Sequence, residues 1–234
     1  MLIRTNWCIV STVDSPRTYG EPCGIPRALD RVGERWALLV VRELMLGPKR
    51  FTDLKEGLPE ASLNVLAQRL RELEQAGAVR RRKLPPPAAS RVYELTEWGR
   101  ELEPVLIALG RWGARAPLAP GQDHMSLDAH VLSLITLFDP VLAGDAELDL
   151  DLRLDEQSFR ARVSEGKLTI VRGEGDDPDA IVHGDAGTLL AVSHRRAELA
   201  EVLEAGDLKV EGDTSAVERF VGLFTLPEPA TIPA

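Results

Sequence analysis

Cysteine, histidine and long apolar runs are all scarce in this chain, and each scarcity closes off a class of function. Its two cysteines, Cys8 and Cys23, are too few for a disulfide framework and lack zinc spacing. The four histidines, His124, His130, His183 and His194, have no cysteine partners and no metal-ligand spacing, so neither a metal nor another cofactor is expected. Ser193 and His194 are adjacent, but no Gly-x-Ser-x-Gly elbow accompanies them, and no catalytic residue is assigned. Two acidic clusters, Asp149/Asp151/Asp155 and Glu174/Asp176/Asp177/Asp179, do not match an EF-hand; the first reads as the wet face of a strand. The longest apolar stretches, Trp36–Val41 and Val131–Phe138, fall well short of the roughly 18 residues a membrane span needs. The first ten residues have no signal-type apolar segment, so a cytoplasmic location without a membrane partner is expected. Internal repeats are lacking too.

What remains is an ordinary globular composition, 44% hydrophobic and 28% charged over 234 residues. That length predicts two domains of roughly 100–120 residues each. The net charge of −9 conceals an uneven distribution. Residues 1–117 hold 19 Lys+Arg against 14 Asp+Glu, a net of +5, whereas residues 118–234 hold 9 against 23, a net of −14. One half suits a polyanion and the other is repelled by it.

Residues 1–20 lack periodicity and read as a tail. Helical patterning begins after Pro22, with Ala28, Leu29 and Val32 on one face, and a nearly all-apolar helix follows from Arg35 to about Leu46. Gly47-Pro48 stops it. A short helix, Phe51–Glu56, takes Thr52 as its N-cap. In Ser62–Gln75 the apolar residues Leu63, Leu66, Leu70 and Leu73 share a face, and Asn64, Gln68, Arg71 and Gln75 fall opposite. Gly77 ends that helix. Two strand-like runs, Val79–Leu84 and Arg91–Leu95, meet at a proline-rich tip, and Glu97–Arg115 reads as one long helix with Leu102, Val105, Leu106, Leu109 and Trp112 as its stripe.

Residues 116–126 read as a linker. A helix over roughly Leu127–Phe138 opens the second domain. Strict alternation from Leu148 to Asp155 predicts a half-buried strand. A hairpin (Ser158–Ser164, turn at Glu165-Gly166, Lys167–Arg172), a strand Ala180–His183 and a helix near Gly187–Val192 follow. Helix Arg195–Ala205, strand Leu208–Val210 and helix Ala216–Phe224 complete an α+β domain.

Asn and Gln can hydrogen-bond adenine bidentately, and Arg guanine, in the major groove. Asn64, Gln68 and Arg71 place that chemistry on one helix face, and Ser62 and Arg69 complete the candidate set on this helix. A solvated polar face is the plain alternative. The basic run Arg80-Arg81-Arg82-Lys83 begins the hairpin and Arg91 stands on the returning strand. Neighbours in a strand point to opposite faces, so two of these bases plus Arg91 can flank a groove. Arg81, Arg82, Lys83 and Arg91 are the candidates, with a charged edge strand as the alternative. A basic hairpin directly after a polar-faced helix favours double-stranded DNA as partner.

The segment Cys23-Gly24-Ile25-Pro26-Arg27-Ala28-Leu29-Asp30-Arg31-Val32-Gly33-Glu34-Arg35-Trp36 resembles the opening signature of HxlR-type winged-helix regulators. The resemblance continues through Leu38–Leu44, Arg50–Leu54, Leu66–Leu73 and Tyr93–Arg100, and covers about residues 21–115. It implies a DNA-binding homodimer, paired through the first and last helices of the domain, that reads an inverted repeat and more usually represses. The stripe ending in Trp112 is then dimer interface, or else intrachain core. The chain departs from the family pattern in carrying extra residues ahead of Cys23, either an arm or the product of an upstream start. Some such regulators switch by oxidation at a cysteine corresponding to Cys23; a plain buried thiol is the alternative.

Gly184-Asp185-Ala186-Gly187-Thr188-Leu189-Leu190 and Gly206–Asp213 resemble segments of sterol-carrier-type domains. This implies a curved sheet with helices around an apolar tunnel, and so an apolar small-molecule effector or a dimerisation platform. The expected fold is therefore α+β: tail 1–20, winged helix-turn-helix 21–115, linker 116–126, sterol-carrier-like α/β domain 127–226, tail 227–234. Three functions stay open: a ligand-responsive regulator, a lipid-like carrier, and a constitutive DNA binder with a structural C-terminal half.

Overall fold

The computed structural model describes residues 18–85, 89–117 and 124–231. Expectations placed on 1–17, the hairpin tip at 86–88, the linker centre at 118–123 and 232–234 lie outside the described residues.

In the N-terminal half α1 (Gly24–Val32) buries none of its side chains, whereas α2 (Ala37–Leu44) buries Ala37, Val40, Val41 and Leu44 and forms the centre of an apolar cluster. α3 (Phe51–Gly57) has Arg50, not Thr52, at its N-cap, and the Arg50 N–H donates back to Asp53 Oδ2 in the first turn at 2.9 Å. α4 (Leu63–Gln75) is capped by Ser62, whose Oγ accepts the Val65 N–H at 3.3 Å, a bond typically worth about 1 kcal/mol. β1 (Val79–Lys83) and β2 (Arg91–Leu95) pair antiparallel. Lys49 adds a rung: its N–H donates to Tyr93 O at 3.0 Å and its carbonyl accepts the Tyr93 N–H at 2.8 Å.

The single helix expected over Glu97–Arg115 is two, α5 (Glu97–Arg100) and α6 (Glu103–Gly113). Pro104 explains the break, because it has no N–H for the Arg100 carbonyl and its ring crowds that turn. Gly99 of α5 lies so close to the end of α4 that a Cβ there would stand 2.0 Å from Ala78 O; no other residue fits. Thr96 Oγ1 donates to Gly77 O at 2.7 Å and accepts the Gly99 N–H at 3.0 Å, which fastens β2 to the end of α4.

The C-terminal half runs α7 (Leu127–Leu137), α8 (Pro140–Ala143), β3 (Leu148–Leu154), β4 (Gln157–Ser164), β5 (Lys167–Arg172), β6 (Ala180–Gly184), α9 (Ala186–Ser193), α10 (Leu199–Ala205), β7 (Leu208–Gly212) and α11 (Thr214–Val221). The sheet order is β5-β4-β3-β6-β7, with β3 and β6 parallel and the other pairs antiparallel. Asp155-Glu156 and Glu165-Gly166 join the two hairpins with positive φ at both positions, the backbone that matches strand twist in two-residue turns. α10 starts later than the expected Arg195, which itself has φ 54° and lies in the preceding turn. Leu148, Leu150, Leu152 and Leu154 join Phe159, Ala161 and Val163 in one cluster with side chains of α7, α9 and α11. The helices therefore cover one face of the sheet. On the other face Asp149 accepts hydrogen bonds from Arg160 and Arg162. Asp151 corrects the expectation of a wet strand face: it is buried, and its Oδ1 accepts the Gly175 N–H at 2.8 Å beneath the turn before β6.

Helix α7 is gripped at both ends by the N-terminal half. At its C-terminus Arg111 of α6 donates to Thr136 O at 2.6 Å and Phe138 O at 3.2 Å, satisfying carbonyls the helix leaves open. At its N-terminus Ser126 Oγ accepts the Ala129 N–H and donates to Glu43 Oε1 at 2.6 Å. Glu43, fully buried, also accepts from Arg42 Nη2 at 2.8 Å and Lys49 Nζ at 2.7 Å. Lys49 Nζ lies 3.0 Å from Asp128 Oδ2, and Asp128 Oδ1 accepts from Arg172 Nη2 at 2.5 Å. Charge alternates along Arg42, Glu43, Lys49, Asp128 and Arg172, from α2 to β5. Gly57 makes room for it, since a Cβ there would stand 2.4 Å from Glu43 Oε2. Leu46 joins the C-terminal cluster across the same boundary.

Burial pushes the Glu43 carboxyl up, but the charge and hydrogen bond of Lys49, the Ser126 hydroxyl and Arg42 together outweigh it and hold the group below the usual Glu range. A folded-state value below the unfolded one contributes stability that is present above the unfolded pKa, about 4.3, and lost as pH falls through the folded value. Removing one partner of a buried pair typically costs about 3–5 kcal/mol. Glu43→Gln should therefore lower the urea midpoint of the whole chain at neutral pH, and the gap between variant and parent should close once pH drops below the carboxylate range.

Candidate nucleic-acid interface

Leu66, Leu70 and Leu73 turn α4 into the N-terminal cluster and leave the opposite face open. That open face carries Asn64, Gln68, Arg71 and Gln75, all exposed, in the row that the periodicity predicts. Gln68 and Arg71 are already in contact: Arg71 Nη2 donates to Gln68 Oε1 at 2.6 Å, and Gln68 Nε2 donates to Glu72 Oε1 at 2.7 Å. The pair is thus held in an extended, hydrogen-bonded arrangement. Leu63 departs from the expected inward face. It is 57% exposed because it heads the helix, where no member of the apolar cluster covers the first turn. With Val65, at 37%, it brackets Asn64 with apolar surface of the kind that meets a thymine methyl. Sequence periodicity missed both, since a leucine in phase with a buried stripe gives no sign that the stripe has ended.

Two candidates on this helix have other work. Ser62 accepts the Val65 N–H as N-cap, which leaves its hydroxyl hydrogen for a phosphate. Arg69 leaves the exposed row: its side chain is 14% exposed, with Nη1 2.7 Å from Glu72 and 3.3 Å from Glu34. One residue from Gln68 in the chain is about 100° around a helix, which turns Arg69 toward the α1–α2 junction.

The wing separates the basic run by parity. Register pairs Arg81 with Tyr93 and Lys83 with Arg91, so Arg81, Lys83 and Arg91 share one face. The Arg81 guanidinium lies 5.2 Å over the Tyr93 ring and 2.9 Å from Glu74 of α4, which locates this face beside the helix. Arg80 and Arg82 point the other way and both bind Glu94, at 2.7 and 2.9 Å. Arg82 therefore does not join the set that sequence had grouped with it. Glu94 is buried, which raises its carboxyl, yet the Arg80 hydrogen bond and the Arg82 and Arg80 charges outweigh that and keep it below the usual range. Lys83 and Arg91 form no ion pair among the described residues and are the cations most available to a phosphate backbone.

In the single chain Cys23 is exposed, immediately before the first residue of α1. Among the described residues no group of three His, Cys, Asp or Glu side chains converges as a metal site, and no helix is long and apolar enough to cross a membrane. An open cleft of about 550 Å³ lies at the domain boundary between Pro48, Lys49 and Glu56 on one side and Leu127, Gln157 and Arg172 on the other.

Residues 31–118 match the family described as HxlR-like helix-turn-helix. The transcriptional regulator YodB of Bacillus subtilis is 41% identical over 85 residues, 36% of this chain and 76% of YodB. An uncharacterized HTH-type transcriptional regulator of Synechocystis sp. is 40% identical over 97 residues, 41% of this chain and 70% of that protein. The chain belongs to the HxlR-like helix-turn-helix family of transcriptional regulators. Its partner is accordingly DNA. Among solved structures, the reduced form of YodB superimposes with a TM-score of 0.37 at 38% identity, over 40% of this chain and 92% of YodB. Residues 123–230 match a second family, the alkyl sulfatase C-terminal domain, where the sequence had suggested a sterol-carrier-type domain. A double mutant of the sec-alkyl sulfatase PisA1 superimposes at 23% identity with a TM-score of 0.38, over 49% of this chain and 17% of the sulfatase.

Adjacent residues on opposite faces of this HxlR-like wing give a direct test. Lys83→Ala should weaken binding to all DNA sequences alike and reduce the slope of log affinity against log salt by about 1. Arg82→Ala, whose charge Glu94 already shares, should change that slope by much less. Fluorescence anisotropy over a salt series reads both.

Proposed function

We propose that this HxlR-like protein is a cytoplasmic repressor that acts by binding rather than catalysis, as a homodimer on an inverted repeat. The exposed row Asn64, Gln68 and Arg71 beside a face of Arg81, Lys83 and Arg91 carries the reading, because it joins base-edge donors and acceptors to backbone cations on one surface. Dimerisation is supported by α1 and α6, neither of which buries a side chain in the single chain. Ile25, Leu29, Val105, Leu109 and Trp112 are exposed between 43% and 72%, while Leu102 and Leu106 of the same stripe pack inward. Two-fold pairing through these helices sets recognition helices about 34 Å apart, one turn of DNA. The acidic C-terminal half faces away from the phosphates and serves as the regulatory half. An apolar effector there would act on the reading head through α7, whose ends are held by Glu43 and Arg111.

A second reading adds oxidant control. It is favoured by the exposure of Cys23 immediately before α1, where an oxidant can reach the thiol.

Binding to the protein's own upstream DNA tests the first reading. Anisotropy should show tight, salt-sensitive binding of two copies per inverted repeat. Arg71→Ala should cost about 1–3 kcal/mol on the cognate site and relax the preference at one base position. If cognate and random DNA bind equally weakly, the regulator reading is lost. For the second reading, diamide should release DNA from the parent protein and leave Cys23→Ser bound; equal release from both removes Cys23 from the mechanism.

A further inference from the structure

Lys49 belongs to the wing through its backbone and to the domain boundary through its side chain. Its N–H and carbonyl both bond Tyr93 in β2, at 3.0 and 2.8 Å. Its ammonium lies between Glu43 of α2 and Asp128 of α7, at 2.7 and 3.0 Å. Asp128 is held from the far side by Arg172, which also packs over the Phe159 ring at 5.0 Å and donates to Gln157. The C-terminal sheet thus grips Asp128, Asp128 attracts Lys49, and Lys49 is a rung of the wing. On the next link Tyr93 supports the Arg81 guanidinium.

We propose that Asp128 and Lys49 are positioning residues for DNA recognition: through them the C-terminal domain sets where the wing stands relative to α4. This deepens the DNA-binding reading and rests on it. Asp128 lies in the other domain from Asn64, Gln68 and Arg71, so its influence on DNA must pass through its contacts. The contact with Lys49 is suited to adjustment. Asp128 Oδ2 is buried, and among the described residues the Lys49 ammonium, 3.0 Å away, is what holds it. The attraction between the two charges weakens as they separate. Any shift of α7 against β5 therefore changes the pull on Lys49. By linkage, DNA that fixes the wing must favour the matching arrangement of the C-terminal domain to the same degree.

Asp128→Asn keeps shape and removes charge. It should weaken DNA binding about tenfold, within the usual span of couplings between sites, and speed hydrogen exchange at the Tyr93 amide in DNA-free protein. Lys49→Met should do the same, and the double variant should bind no more weakly than the weaker single one. Ser126→Ala is the control for general loosening: it cuts the tie to Glu43 at the same boundary and should leave Tyr93 exchange unchanged. Additive losses in the double variant overturn the proposal. So does unaltered Tyr93 exchange in Asp128→Asn, or equal acceleration by Ser126→Ala. Should the parent protein bind no DNA specifically, the DNA-binding reading fails, and the exchange measurements still decide whether Asp128 holds the wing.

Discussion

A chain of five charges, its two carboxylates buried, joins the two domains and constrains what lies around it. Each carboxylate, Glu43 and Asp128, sits between two cations, so neither can be moved without stranding a charge in a poorly hydrated place. Ion pairs of this kind contribute little net stability relative to apolar packing. What they bias is arrangement, because the observed placement of α2, α7 and β5 matches every one of these charges. The turn at Gly47-Pro48-Lys49, the glycine at 57 and the serine cap at 126 are local solutions to that one requirement. Arg111 holds α7 at a second point, its other end.

The reading head shows a second economy of charge. Four consecutive basic residues look like a uniform patch, but a strand distributes them alternately, and Glu94 draws Arg80 and Arg82 to the back of the wing. What faces α4 is Arg81, already occupied by Tyr93 and Glu74, together with Lys83 and Arg91. The wing is thereby stiffened by the same residue type that would otherwise only repel itself. On α4, Leu63 and Val65 beside Asn64 add apolar reach to a face that polar residues alone had seemed to define.

Much of this was legible from local chemistry. Gly and Pro punctuation, alternation in β3 and the 3-and-4 spacing of leucines located nearly every element, because those signals act within a few residues. Pro104 also carries a local signal, and the stripe from Leu102 to Trp112 obscured it, since a broken helix can keep its phase. Other features depend on partners distant in sequence. Nothing near Arg82 announces Glu94, nothing near Arg69 announces Glu34, and nothing near Glu43 announces Ser126, some eighty positions on. Asp151 read as solvated because its neighbours alternate; a turn 24 residues further along the chain covers it. In the C-terminal half short glycine-led segments pointed to a sterol-carrier-type domain, whereas the family match over residues 123–230 is to the alkyl sulfatase C-terminal domain.

The division of charge, +5 ahead of Pro117 and −14 beyond it, makes each copy a permanent electric dipole. Within a Debye length of DNA, about 8 Å at physiological salt, the field turns the basic end forward and sheds copies that arrive the wrong way round. A bound copy that turned its acidic end outward would repel the next arrival, more strongly at low ionic strength than at high, and so would favour discrete addresses over a continuous coat along the duplex.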